Sequence, residues 1–284
     1  MSEKLLTIGM ATHDDFDGVF FSIQALKIYQ LDGILDDVEI IVIDNNPESK
    51  HGQEVKNFTS GWAKVKYIPY TEKKSTSVRN EIFKNASGKY TVSMDSHVMF
   101  EPNGIKNLLE YYKQNPDTKN LIQGPLWYDD LKNVSTHFSP VWRDMMYGIW
   151  ETNKEAFEIG QPFEIPMMGL GMFSCKTSEW LGFNENFKGF GAEEGYIHEK
   201  FRRAGGKCIC LPNLKWNHRF GRPNGITYPN TIEDRIWNYF VGWLEILKDP
   251  NDPFIETIFD AFKGKLPEPA INQIFQKAKN LYGF

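Results

Sequence analysis

The 284-residue sequence is poor in cysteine, has no long apolar run and carries no excess of basic charge. Three cysteines, Cys175, Cys208 and Cys210, are too few and too odd in number for a disulfide framework, and fit a reducing compartment. Cys208 and Cys210 alternate along "KCICLP" and point to one face of a strand, as core residues do. A C-x-C metal site would need a second pair, which the sequence lacks. No stretch reaches the roughly 18 apolar residues of a membrane helix, so no membrane span is expected. The opening "MSEKLLTIGMATHDD" has only a short apolar run before its aspartates and does not read as a signal peptide or an anchor. A net charge of −5 argues against binding that draws its energy from a phosphate backbone. Internal repeats and low-complexity tracts are also missing.

What is present is alternation. "KLLTIGMAT" (4–12), "VEIIVIDNN" (38–46), "AKVKYIPY" (63–70) and the run beginning at Tyr90 read as strands. Between them, "GVFFSIQALKIYQ" (18–30), the segment after Pro47, and "STSVRNEIFKNASG" (75–88) read as helices. This order predicts parallel βαβ units in an α/β sheet. Ligands of such sheets sit beyond the carboxyl ends of the strands. Thr12, His13 and Asp14, then Asp44 and Asn45, then Asp95 fall at such ends. A helix over 103–116 and a strand over 120–129 follow. Residues 130–165 are aromatic and irregular, and 141–160 are expected to be helical, either as a flap over a site or as peripheral packing. The glycine-bearing segment 165–183 leads to an expected helix start near Thr177. A helix over 191–206 precedes a strand and polar loop over 207–225. From 226 to 284 the pattern is helical, and Trp237, Tyr239, Phe240 and Trp243 are expected to pack on the core or a partner.

Five local features carry chemistry. In "YTVSMDSHVMFEP", Asp95 and His97 stand two apart on an apparent strand, where side chains share a face. They are either a polar strand end or a pair of metal ligands. "KWNHRFGRP" places His218 beside Arg219 and Arg222, as a solvated basic loop or as a further ligand with cations for phosphate. In "GFGAEEGY", Glu193 and Glu194 open a helix, either for its dipole or as a base over a cleft. Asp44 ends "IIVID", as a turn cap or as a contact to a nucleotide. Arg79 lies on the helix before the D-x-H strand and is either a surface arginine or part of the same site.

Taken in order, these motifs resemble a family 2 glycosyltransferase of the GT-A fold. The likeness covers residues 4–220: "IGMATHDD", "IIVIDNN", "SVRNEIFKNASGKYTVSMDSHVMFEP", then "GLGMFSCKTSEWLGFNENFKGFGAEEGY" and "KFRRAGGKCICLPNLKWNH". The D-S-H at 95–97 is similar to the D-x-H of polypeptide N-acetylgalactosaminyltransferases. Ala11 replaces the proline usual before T-x-N, and E-E replaces E-D. The missing G-x-G-T-R-like loop sets the chain apart from nucleotidyltransferases.

The resemblance implies a Rossmann-like, mostly parallel sheet flanked by helices. The GT-A domain would span 1–225, with a nucleotide-sugar half over about 1–100 and an acceptor half over about 101–225. Residues 226–284 would be a helical extension. It implies Asp95, His97 and His218 as metal ligands, with Mn²⁺ favoured over Mg²⁺ because Mg²⁺ prefers an all-oxygen shell. It places Thr12, Asp14, Asp44, Arg79, Asp95, Ser96 and Gly171 around a nucleotide sugar, UDP-linked, with Glu194 as base and Glu193 beside it. A carboxylate at Glu194 favours inversion; retention, nucleotidyl transfer and sugar binding without catalysis are the alternatives. The acceptor would be a glycan, a small molecule, a modified nucleobase or another macromolecule. Trp127, Tyr128, Trp142, Tyr147 and Trp150 are candidates to stack on it. A cytoplasmic enzyme of bacterial or viral type is expected.

Overall fold

The computed structural model of the chain describes residues 4–221, 225 and 228–284. Arg222 lies outside the described residues. The strands are β1 (Lys4–Thr12), β2 (Val38–Asp44), β3 (Val65–Pro69), β4 (Gly88–Asp95), β5 (Val98–Phe100), β6 (Leu121–Gln123), β7 (Leu126–Trp127), β8 (Val134–Ser135), β9 (His137–Arg143), β10 (Met146–Glu151), β11 (Phe163–Glu164), β12 (Met172–Lys176), β13 (Cys208–Cys210) and β14 (Trp216–His218). The α-helices are α1 (Phe16–Ala25), α2 (Lys50–Ser60), α3 (Asn80–Asn85), α4 (Gly104–Gln114), α5 (Lys154–Ile159), α6 (Glu193–Arg203), α7 (Ile232–Leu247), α8 (Pro253–Phe262) and α9 (Glu268–Tyr282).

The main sheet has eight strands in the order β11-β13-β6-β12-β4-β1-β2-β3. β4, β1, β2 and β3 run parallel, and β12 and β11 run against their neighbours. Their apolar runs are continuous because both faces are covered: Leu6, Ile8, Met10, Ile40, Ile41, Val42, Ile43 and Val92 are fully buried or nearly so. This is the α/β sheet expected. Parallel register aligns Ala11 with Asp95 and Thr12 with Asp44. Three polar strand ends therefore stand in one row along the edge where ligands bind.

A second sheet, β5-β14-β7-β8, abuts the first. The chain passes from β4 into β5 through the tight turn at Ser96 and His97. His97 thus lies on the turn, not on the β4 face it was expected to share with Asp95. The strand cannot continue because β5 pairs antiparallel with β14, in the other sheet.

Residues 141–160 are not one helix. β9 and β10 form an antiparallel hairpin, and only Lys154–Ile159 is helical. Val141, Trp142, Tyr147, Ile149 and Trp150 are strand formers, and Asp144 turns the chain at φ 55°. The helix start expected near Thr177 is one 3₁₀ turn, Thr177–Glu179. It stops before Gly182, whose φ is 75°.

The three cysteines are free and buried. Helices α7 to α9 join the same hydrophobic core through Ile236, Tyr239, Phe240, Ile258, Phe262 and Ile271. Among the described residues no helix is long and apolar enough to cross a membrane.

Candidate functional site

A cleft of about 480 Å³ opens at the carboxyl edge of the main sheet. Its lining includes Thr12, Asp14, Asp95, Ser96, His97, Gly171, Glu194, His218 and Arg219.

The metal-ligand candidates converge there. Nε2 of His97 and Nε2 of His218 stand 3.1 Å apart, and His218 Nε2 lies 3.3 Å from Asp95 Oδ2. One ligand atom from each of the three lies within 4.8 Å of the others. Cis ligands of an octahedral ion at about 2.1 Å stand about 3 Å apart, so the spacing fits a single divalent ion. The donor set of one carboxylate and two imidazoles fits a borderline metal. His218 is the last residue of β14 and pairs with Val98, which sets it beside the His97 turn. Gly171 accepts a hydrogen bond from the Asp95 N–H at 2.8 Å. A Cβ at Gly171 would come within 2.8 Å of the Trp216 ring and 3.2 Å of the His218 ring, so glycine leaves His218 its place. Burial would raise the Asp95 carboxyl, but the hydrogen bond with His218 and the charge of Arg79 hold it down to about 2.

Asp15, which sequence reasoning passed over, adjoins this cluster and also lines the cleft. It caps α1 by accepting the Gly18 N–H, and its Oδ2 lies 2.6 Å from His97 Nδ1. Ser96 Oγ donates to the same oxygen at 3.0 Å, and Arg219 donates to the other. Burial is outweighed by His97 and Arg219, which hold the Asp15 carboxyl far below the usual carboxylate range. The local signal, an aspartate before an apolar helix, reads only as a cap.

The two glutamates part company at the start of α6. The loop before them is left-handed at Gly189, Gly191 and Ala192. Ala192, a non-glycine at φ 76°, turns the chain sharply into the helix. Glu193 points inward and pairs with Arg79 at 2.8 Å, both buried. Arg79 also donates to the Leu170 carbonyl at 3.1 Å. Glu194 lines the cleft. Burial and the neighbouring Glu193 push its carboxyl up to about 8. His198, one turn on and fully buried, lies 2.6 Å from the Glu194 carbonyl and accepts from the Met168 N–H, which fixes this end of the helix.

On the β1–β2 side the expected residues separate. Asp14 lines the cleft and accepts from Asn46 Nδ2 with both oxygens, at 3.1 and 3.0 Å. Asp44 is buried below the cleft, where its carboxylate accepts from the Asn46 N–H at 2.9 Å and Tyr67 Oη at 2.8 Å. Asp44 therefore shapes the 44–46 turn. Thr12 and Thr76 line the cleft with buried hydroxyls that have no partner among the described residues; Thr76 carries no signal in the sequence. Of the five aromatics named for stacking, Trp150 alone lines the cleft, beside Phe220 at 6.5 Å between rings. Trp142 and Tyr147 pack inward against Tyr239, Trp243 and Phe254.

The sequence profile described as "Glycosyl transferase family 2" matches residues 23–174, more than half of the chain.

This chain belongs to glycosyl transferase family 2.

Likeness to solved structures extends over nearly the whole chain. The structure of GalNAc-T7 with UDP, GalNAc and Mn²⁺ superposes with a TM-score of 0.70 at 13% identity, over 99% of this chain and 55% of that one. The chain thus spans about half the length of GalNAc-T7. The mannosyltransferase PcManGT from Pyrobaculum calidifontis, in complex with GDP-Man and Mn²⁺, gives 0.55 at 14% identity over 98% of this chain and 74% of that one. S. aureus TarS 1-349 gives 0.55 at 12% identity over 97% and 71%. At these identities the likeness is one of fold. A search of curated proteins finds no significant match.

Proposed function

We propose that the protein transfers a sugar from a nucleotide diphosphate sugar, UDP-linked, to an acceptor hydroxyl, with Mn²⁺ as the ion and inversion at the anomeric carbon. One observation carries the reading: the Asp95–His97–His218 cluster and the carboxyl of Glu194 line one cleft. A divalent ion supplies charge that stabilises the diphosphate leaving group. Asp95, His97 and His218 would hold it. The acidic chain offers no broad basic field for a diphosphate, so charge must be local. Arg219, which pairs with Asp15, lines the cleft together with Lys74, Arg79 and Arg143. Thr12, Thr76 and Gly171 line the part of the cleft that the donor would occupy.

In the transfer, Glu194 takes the proton from the acceptor hydroxyl. The acceptor oxygen bonds to the anomeric carbon, and the bond from that carbon to the diphosphate oxygen breaks. Arg79 and Glu193 position the base: their buried pair anchors the first turn of α6, where Glu194 sits. The acceptor side of the cleft is walled by Trp150 and Phe220, flat apolar surfaces suited to a sugar ring.

The test is a donor screen with Mn²⁺, which follows release of nucleoside diphosphate and the anomeric configuration of the product. Release from a UDP-sugar, with the anomeric configuration inverted in the product, is expected. No turnover of any nucleotide sugar would sink the proposal, and retained configuration would remove Glu194 as base.

A further inference from the structure

We propose that Asp15 is a positioning residue for the metal centre: its carboxylate fixes His97 as the Nδ1–H tautomer and so aims the Nε2 lone pair at the point shared with Asp95 and His218. The inference rests on the metal reading above and adds a residue that acts on the centre through His97.

The geometry is specific. A carboxylate oxygen 2.6 Å from an imidazole nitrogen accepts a hydrogen bond, so the proton must sit on Nδ1. In the neutral ring Nε2, the atom 3.1 Å from His218 Nε2, then carries the lone pair. A metal-bound histidine commonly has such an outer carboxylate, and its loss weakens metal binding by about 10- to 100-fold. Among the described residues His218 has no equivalent, since none partners its buried Nδ1. The two imidazoles therefore differ: one is held as a ligand in advance, the other is not.

The surroundings hold Asp15 in this role. Its four hydrogen bonds tie the start of α1 to the Ser96–His97 turn and to the loop after β14. Ser22 on α1 donates to the carbonyls of Ser96 at 3.0 Å and Val98 at 2.9 Å, which fixes the same turn from below. Gly18 lets the elements close: a Cβ there would come within 2.2 Å of Asp15 Oδ2 and 2.7 Å of the Ser96 carbonyl.

The test separates positioning from capping. Asp15→Ser keeps a good N-cap for α1 but is too short to reach His97. Asp15→Ala removes both roles, and Asp15→Asn keeps an acceptor for Nδ1–H without the charge. Mn²⁺ binding is measured by the loss of the free-ion EPR signal, and the His97 tautomer by imidazole ¹⁵N shifts in the ion-free protein. We expect Asp15→Ser and Asp15→Ala to bind Mn²⁺ about 10- to 100-fold more weakly, with His97 losing its Nδ1–H preference, and Asp15→Asn to recover part of the affinity. If folded Asp15→Ser binds Mn²⁺ within about twofold of the parent and keeps the Nδ1–H form, Asp15 is a cap alone and the proposal is overturned. If the parent protein itself takes up no Mn²⁺, the metal reading fails and this inference falls with it.

Discussion

At the scale of single residues the site works through inequality between look-alike groups. Glu193 and Glu194 are adjacent, yet one is neutralised by Arg79 and the other faces the cleft. Because burial and Glu193 raise the Glu194 carboxyl to about 8, its basic form grows as pH rises toward that value. We therefore predict that kcat/KM climbs with pH between about 6 and about 8. Glu194→Gln should flatten that limb and lower kcat roughly 10²- to 10⁴-fold, with the affinity for UDP and Mn²⁺ unchanged by calorimetry. A flat parent profile would contradict the assignment of the base. Asp95 and His218 were legible in the sequence because their motifs are local. Asp15 was not, because its partners His97 and Arg219 lie 82 and 204 residues away. Asp44 was legible as a strand end, but not as buried: only the structure shows Tyr67 and the Asn46 N–H occupying its oxygens.

Among elements, the C-terminal helices bear on the site through Asn238. Asn238 of α7, fully buried, accepts from the Lys188 N–H at 2.8 Å and donates to the carbonyls of Lys188 at 2.7 Å and Gly191 at 3.0 Å. It thereby holds the loop that delivers Glu193 and Glu194. Asn238→Ala should cost about 1–3 kcal/mol of stability, from the buried groups left unpaired. We expect kcat to fall while KM for the donor stays near its parent value; urea melts and steady-state kinetics measure the two. An unchanged kcat would free the loop from α7. The strands and helices of the first 100 residues could be read because apolar periodicity alone decides them. The β9–β10 hairpin could not: its apolar residues serve two faces, one packed on α7 and α8, the other closing the cleft. Neither strand nor helix spacing describes that pattern.

For the whole molecule, the candidate ligands join two sheets. Asp95 ends β4 of the main sheet, and His218 ends β14 of the small one. An ion bound between them stabilises the folded chain over the unfolded one, by about 2.7 kcal/mol at a concentration 100-fold above its Kd. For a chain of this size we predict a rise in Tm of about 5 °C with Mn²⁺, reversed by EDTA and absent in His218→Ala. A rise that survives that substitution would place the ion elsewhere.

The distance in sequence between those ligands also sets a time. Asp95 and His218 are 123 residues apart, and Arg219 meets Asp15 across 204. A chain emerging at about 5–20 residues per second makes Asp95 and His97 several seconds before His218 exists. Through that interval the paired strands β1, β2 and β4 can form, but the ion centre cannot. Metal capture thus waits for His218, and it marks a chain whose two sheets have already met.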